Sequence, residues 1–258
     1  VENMKPAISV QGLSFCYPDG LAALTEISFH VARGECVGLL GPNGSGKSTL
    51  LRHLNGILPE RLLGESGPIQ IDGTPVTSLH LAALRRQIGL LFQDPDDQLF
   101  CSTVAEDVAF GPQQLGLTAE EVNQRVQAAL QQVGLVDLAP RPPHHLSTGE
   151  KRRACLAGVL ACAPSILVLD EPSSGLDPRG RRELITLLRQ ITATKLIATH
   201  DLELVVELCP RSLILDHGRI IADGPTTTLL NDEALMLAHG LERPHVLQHA
   251  HPHRGEPR

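Results

Sequence analysis

The chain of 258 residues is long enough for one large or two small domains with a real core, and 42% apolar and 20% charged residues are ordinary soluble proportions. A net charge of −7 and an aromatic content of 2%, with one Tyr and no Trp, argue against a nucleic-acid partner, which calls for a basic footprint and stacking rings. No apolar run approaches the ~20 residues of a membrane-spanning helix, and the six cysteines (16, 36, 101, 155, 162, 209), lacking any CxxC pair, read as reduced thiols rather than a disulfide framework.

Segments 7-AISVQ-11 and 27-ISFHV-31 alternate apolar and polar residues, the period of half-buried strands. The nearly continuous apolar run 36-CVGLL-40 suits a strand buried on both faces. It enters the glycine-rich stretch 41-GPNGSGKST-49, and a helix is expected over 48–58. In 118-TAEEVNQRVQAALQQVG-134, Thr118 and Glu121 make a capping-box pair and Gly134 a C-terminal stop, with Val122, Val126, Ala129 and Val133 on one face. Pro140, Pro142 and Pro143 then break the chain before 144-HHLSTGEKRRACLAG-158. There Ser147, Thr148 and Gly149 precede a helical run, and Lys151, Arg152 and Arg153 read as a solvated helix face. Core strands are expected at 166-ILVL-169 and 195-KLIAT-199, separated by an amphipathic helix over 180–191 with Leu184, Leu187, Leu188 and Ile191 on one side. Residues 212–224 read as a hairpin turning at His217-Gly218. Strands alternating with helices indicate a mostly parallel sheet covered on both faces, interrupted by a helical insertion over about 93–160. The polar, proline-bearing stretch 244–258 carries His245, His249, His251 and His253 and reads as a disordered tail after a domain spanning 1–243.

Residues 41-GPNGSGKS-48 fit G-x-x-x-x-G-K-[ST] between a buried strand and a helix. Gly41, Pro42, Asn43, Gly44, Ser45 and Gly46 form a loop whose backbone N–H groups can turn on phosphate oxygens, aided by the helix N-terminus. Lys47 can reach the β- and γ-phosphates, and the Ser48 hydroxyl, followed by Thr49, can ligate Mg²⁺. At the end of 166-ILVLDE-171, Asp170 suits a contact to Mg²⁺ through water and Glu171 can polarise an attacking water. With no internal repeat, the chain holds one such unit.

With these motifs the chain resembles ATP-binding-cassette ATPases from about residue 7 to 230. The resemblance implies ATP and Mg²⁺ as ligands. It also implies an α/β, RecA-like P-loop core of parallel strands, an N-terminal antiparallel β subdomain and an inserted helical subdomain. The segment 146-LSTGE-150 stands where that family has an LSGGQ-like motif, departing at Thr148 and Glu150. By the resemblance Tyr17 stacks on adenine, Gln93 senses the γ-phosphate and Mg²⁺, Asp177 of 174-SGLD-177 crosses between subunits, and His200 holds the γ-phosphate and Glu171. Ser147, Thr148, Gly149 and Glu150 then close over ATP held by the partner of a head-to-tail dimer. Thr148 adds a side chain where glycine allows close approach, and Glu150 adds negative charge beside an anion.

The run 92-FQDPDDQLFCSTVAEDVAFGP-112 resembles energy-coupling-factor importers, which carry vitamins or transition metals. In them this region, here Asp97, Gln98 and Leu99, docks a membrane-embedded coupling protein that works with a substrate-binding membrane subunit. A local reading is also open, with Asp94-Pro95-Asp96 as a turn and Leu99 and Phe100 as core. The histidine tail suits Co²⁺ or Ni²⁺, which points to the cobalt/nickel branch, and the resemblance to these importers implies a peripheral place at the cytoplasmic face of the cell membrane. The competing readings are an ATPase subunit of another transporter class and a soluble nucleotide-gated clamp. The acidic charge and the lack of a coiled-coil insertion count against the clamp.

Overall fold

The computed structural model describes residues 5–59, 67–242 and 244. The histidines of the tail lie outside them. Strand β1 (Ile8–Cys16) buries Ile8, Val10 and Leu13, and β2 (Ala22–Val31) buries Leu24, Ile27, Phe29 and Val31. The two pair antiparallel from Ile8↔Val31 to Cys16↔Ala22, longer than the alternation in the sequence suggests. The reason is a change of phase. Register shifts interrupt the ladder, and Gly12 and Glu26 take positive φ, so the buried positions pass from even to odd numbers along each strand.

Strand β3 (Cys36–Leu40) feeds the glycine-rich loop and helix α1 (Lys47–Leu54). Next, β4 (Ile69–Ile71) and β5 (Thr74–Pro75) form a hairpin that the sequence reading missed. Its Asp72-Gly73 turn has φ of 49° and 80°, the two left-handed positions of a type I′ connection. β4 also pairs with β1, giving an antiparallel sheet in the order β2-β1-β4-β5. The short α2 (Leu81–Leu84) leads into β6 (Ile88–Leu91).

The insertion consists of α3 (Val104–Gln114), α4 (Ala119–Gln132) and α5 (Thr148–Ala161). Each starts with a complete capping box: Thr103 with Glu106, Thr118 with Glu121, and Ser147 with Glu150. Each box satisfies two otherwise orphaned N–H groups. The face of α4 anticipated from sequence is buried, with Val122, Val126 and Ala129 packed in one apolar core with Val104, Val108 and Ala157.

The rest of the second sheet comes from β7 (Ile166–Asp170), α6 (Pro178–Gln190), β8 (Thr194–Ala198), α7 (Leu202–Leu208), β9 (Arg211–Asp216) and β10 (Arg219–Pro225), before α8 (Thr226–Asn231) and α9 (Glu233–Ala238). Its order is β10-β9-β3-β8-β7-β6. Every pairing from β9 to β6 is parallel, and β10 alone runs antiparallel, folding back at His217-Gly218 as expected. Parallel strands release their C-terminal ends on one side. That side therefore gathers the loop after β3, Gln93 after β6, Asp170 and Glu171 at β7, and Thr199 and His200 after β8. Among the described residues no helix is long and apolar enough to cross a membrane.

Candidate functional site

The phosphate loop is shaped by what cannot fit beside it. A Cβ on Gly41 would lie 2.0 Å from the carbonyl oxygen of Leu215, and Gly46, at φ 108°, would drive one to within 2.7 Å of the Ala23 carbonyl oxygen. Only glycine allows the loop to run between β2 and β9. Lys47 is 7% exposed, and its ammonium curls back on the carbonyls of Gly41 and Pro42 at 2.7 and 2.9 Å. Burial lowers its pKa, while Glu171 and Asp170 act in the opposite direction. A phosphate entering the loop competes for the same ammonium donors with formal negative charge.

Asp170 and Glu171 are 6% and 5% exposed. Burial raises Asp170 above the usual carboxylate range, opposed by a hydrogen bond with Ser48 and by Lys47. Its Oδ1 is buried without a partner. An orphaned carboxylate oxygen next to a hydroxyl is the hard oxygen donor set that Mg²⁺ takes, so Ser48 and Asp170 fit that ion.

Glu171 is held from every side. Its backbone takes φ 48°, a left-handed conformation costing a non-glycine residue ~1–2 kcal/mol. Its N–H donates to the Ala198 carbonyl at 2.8 Å. The carboxylate accepts from the Thr199 hydroxyl at 2.9 Å and the His200 N–H at 3.1 Å, and lies 2.9 Å from His200 Nδ1. The His200 ring remains 67% exposed, open to whatever the loop binds. Tyr17 donates to or accepts from Thr49 at 2.9 Å, and Phe15 packs edge-on against both Tyr17 and His53. The single tyrosine is thereby fixed over the start of α1.

Ser147 and Thr148 are exposed. Ser147 N–H and Oγ both donate to Glu150 Oε2, at 2.8 and 2.7 Å. Glu150, expected from sequence to act as an adverse charge, is thus also the residue that completes the α5 cap, and these bonds hold its carboxyl below the ordinary range. Gly149 and Thr148 abut the loop 174–177: a Cβ on Gly149 would meet Leu176 at 3.3 Å, and one on Gly175 would meet the Thr148 methyl at 3.1 Å. Asp177 ends that loop by capping α6, accepting from the Gly180 N–H at 2.6 Å.

The family model described as "ABC transporter" matches residues 24–174. The chain belongs to the ABC transporter ATPase family. This ATPase is 44% identical to the energy-coupling factor transporter ATP-binding protein EcfA of Carboxydothermus hydrogenoformans, over 93% of this chain and 88% of that one. It is 57% identical to a Streptomyces avermitilis protein provisionally named an ABC transporter ATP-binding protein, over 93% and 90% of the two chains. Among solved structures it is similar to cbiO1 of Clostridium perfringens, described as part of the ABC transporter complex cbiONQ. There the TM-score is 0.77 and identity 37%, over 94% and 98% of the two chains. As a member of this family the chain hydrolyses ATP.

Two expectations about this ATPase need correction. Arg152 is no part of a solvated face. It is 5% exposed, and its guanidinium donates to the carbonyls of Glu171 at 2.6 Å and Gln93 at 2.8 Å. Helix α5 is thereby pinned to the two loops that flank the phosphate site. Lys151 is likewise committed, to Asp96 at 2.6 Å. Phe100, a core candidate by its neighbours in sequence, is 66% exposed. It stacks edge-on with Phe110, itself 42% exposed, beside a groove lined by Leu90, Leu99, Cys155 and Val159.

The intended docking residues divide. Asp97 is exposed, whereas Gln98 turns inward to bridge the Phe92 N–H and the Cys155 carbonyl, and Leu99 packs against the core. Asp107 accepts from the N–H groups of Phe100 and Cys101 and so sets the outward turn of Phe100. A stack of two exposed phenylalanines was legible only as apolar residues ten positions apart. Thr199 gave no signal beyond its place in a strand.

Proposed function

We propose that this ATPase is the motor subunit of an energy-coupling-factor importer for cobalt or nickel, acting at the cytoplasmic face of the cell membrane. It pairs head to tail with a second ATPase chain and docks on a membrane-embedded coupling protein that serves a substrate-binding membrane subunit. The observation that carries the importer reading is the Phe100–Phe110 stack over an open apolar groove, inside the run 92–112. Exposed aromatic pairs rimmed by polar residues suit a protein partner. The likeness to EcfA and to cbiO1 supports the energy-coupling-factor class, and leaves the choice of the metal branch to other observations. The histidine tail, outside the described residues, supports that branch from sequence alone.

In this reading Lys47 and the loop N–H groups bind the β- and γ-phosphates, and Tyr17 carries the adenine. Ser48, Asp170 and Gln93 would hold Mg²⁺, which when bound would supply positive charge to the phosphate oxygens. Glu171 orients the attacking water and accepts its proton. Thr199 and His200 hold that carboxylate in place, and His200 presents its exposed ring to the γ-phosphate. Ser147 and Gly149, with Thr148, Glu150 and Asp177 beside them, close the site from the second chain. The domain so formed spans 1–243, with 244–258 a tail that ATP turnover does not need.

Replacing both Phe100 and Phe110 by Ser tests the importer reading. The isolated double variant keeps its basal ATPase, since neither ring touches the phosphate site. In membranes the parent brings polytopic proteins through affinity purification, and the variant loses them together with Co²⁺ or Ni²⁺ uptake. Equal recovery and uptake from both would refute the docking assignment.

A further inference from the structure

The nucleotide site uses none of the six cysteines, yet two of them meet. Cys36 Sγ, at the start of β3, lies 3.5 Å from Cys209 Sγ, just past the end of α7. Register explains the encounter. Val37 stands opposite Arg211 in the parallel β3–β9 pair, which sets Cys36 level with Pro210. Cys209 is extended, with φ −112° and ψ 106°, one residue further back. A strand spacing of ~4.8 Å and a rise of ~3.3 Å put the two Cα atoms about 6 Å apart, inside the span a disulfide bridges without moving backbone.

The two thiols differ in reach and in charge. Cys209 is 2% exposed, and Cys36 is only half-buried. Lys195 stands opposite Cys36 on β8, its ammonium held by the carbonyls of Ile191 and Ala193. The hydrogen bond with Cys209 lowers the Cys36 pKa, with help from Lys195 and against burial, while the same bond and burial raise Cys209. The other thiols lack these features. Burial pushes Cys155 up to about 12 and Cys101 up to about 11, and no other close pair of thiols occurs among the described residues.

We propose that Cys36 and Cys209 are a dithiol modification site, closed by peroxides to an intramolecular disulfide and reopened by dithiol reductants. The Cys36 thiolate attacks one oxygen of hydrogen peroxide. The O–O bond breaks, the leaving hydroxide takes a proton to become water, and Cys36 becomes a sulfenic acid. Cys209 then attacks the Cys36 sulfur, the S–OH bond breaks, and the hydroxide departs with the Cys209 proton as a second water. Two thiols and one peroxide give one disulfide and two waters, the sulfurs losing two electrons to the O–O bond. The reachable thiolate is the attacking group and the hidden thiol the resolving one. The bond joins α7 to the base of β3, at the far end of that strand from Gly41, and leaves the phosphate loop free.

The full chain is treated with hydrogen peroxide, alkylated, digested without reduction and mapped by mass spectrometry. The expected product is a peptide joining Cys36 to Cys209, removed by dithiothreitol and formed in preference to any other linkage. In Cys209→Ser, Cys36 accumulates as a sulfenic acid that dimedone traps. Alkylation of both residues in the parent after peroxide has oxidised the exposed Cys16 would overturn the proposal. So would linkage of either one to a different cysteine. The parent's map needs no variant, so misfolding of a substituted chain cannot obscure the result.

Discussion

Replacing Arg152 by Met tests whether helix α5 positions the Glu171 carboxylate for the role proposed for it. The guanidinium holds two carbonyls, those of Glu171 and Gln93, at 2.6 and 2.8 Å. A buried carbonyl stripped of its donor costs ~1–3 kcal/mol. The Gln93 residue is exposed and can regain water, so most of the loss falls on Glu171. Removing the guanidinium also relieves a cost, because burial lowers the Arg152 pKa and its Nε has no partner. The net destabilisation is therefore at most about 1–3 kcal/mol, a fall in Tm of no more than roughly 2–12 °C for a chain of this size.

Turnover should suffer more than stability. The Glu171 peptide sits at φ 48°, and without Arg152 on its carbonyl it is free to relax. Misplacing a reacting group by ~1 Å costs on the order of 10²-fold. Turnover in Arg152→Met should therefore fall ~10–100-fold, toward the level of Glu171→Gln. Affinity for a non-hydrolysable ATP analogue should move less than about 3-fold, since Arg152 does not touch the phosphate loop. Arg152→Lys restores charge without the planar fork and should recover only part of the rate. Steady-state ATPase, analogue titration and thermal melts read these quantities together. Turnover within about 2-fold of the parent, with Glu171→Gln inactive, would refute the positioning role. A Glu171→Gln variant at the parental rate would instead remove Glu171 from catalysis.

Two further outcomes follow from the same geometry. Asp201 binds Arg181 at 2.7 and 3.0 Å and caps α7 through the Leu204 N–H. Burial would raise its carboxyl, but Arg181 and the cap overcome this and hold it below the ordinary range. A depressed folded pKa stabilises above the unfolded value, ~3.9, and the gain is lost as pH falls through the folded one. Asp201→Asn should cost ~1–3 kcal/mol at neutral pH, and the gap in urea midpoint should close as pH drops below about 4; a gap independent of pH would contradict the assignment. Glu150→Gln keeps a capping partner for α5 while removing a charge that draws in the Ser147 hydroxyl. Its turnover should rise ~2–10-fold by the charge argument, and a fall at unchanged stability would show that the carboxylate itself serves the site.

Much of this architecture is written in local patterns. Three of the strands feeding the site (β3, β7 and β8), the α4 cap and the His217-Gly218 turn rest on short-range chemistry that a sequence displays directly. The β4–β5 hairpin was equally legible, since Asp72-Gly73 between Ile71 and Thr74 is a two-residue turn signal. The β1 and β2 extensions were hidden because bulges shift the alternation by one residue. Arg152 was misread for a different reason. In sequence it belongs to a basic run, and only the packing of α5 against β6 and the loops beyond β6 and β7 brings the Gln93 and Glu171 carbonyls to it. Residues whose partners are backbone carbonyls from distant segments leave no side-chain pattern. The same holds for Phe100 and Phe110, and for Cys36 and Cys209, which only the parallel register brings together.

The central claim is that Ser147 serves the nucleotide of a partner chain, and one mixing experiment addresses it. Lys47→Ala and Ser147→Arg chains, each inactive alone, carry different affinity labels so that mixed dimers can be isolated. Ser147 also caps α5, so the arginine chain should melt somewhat below the parent, and a cooperative melt confirms that it is folded. If Ser147 acted within its own chain, every site in the mixed dimer would contain one lesion. Acting across the interface, it leaves one site with both lesions and one with neither. The account predicts that mixed dimers regain ATP-dependent closure and hydrolysis at the intact site. Mixed dimers that neither close nor hydrolyse would contradict it.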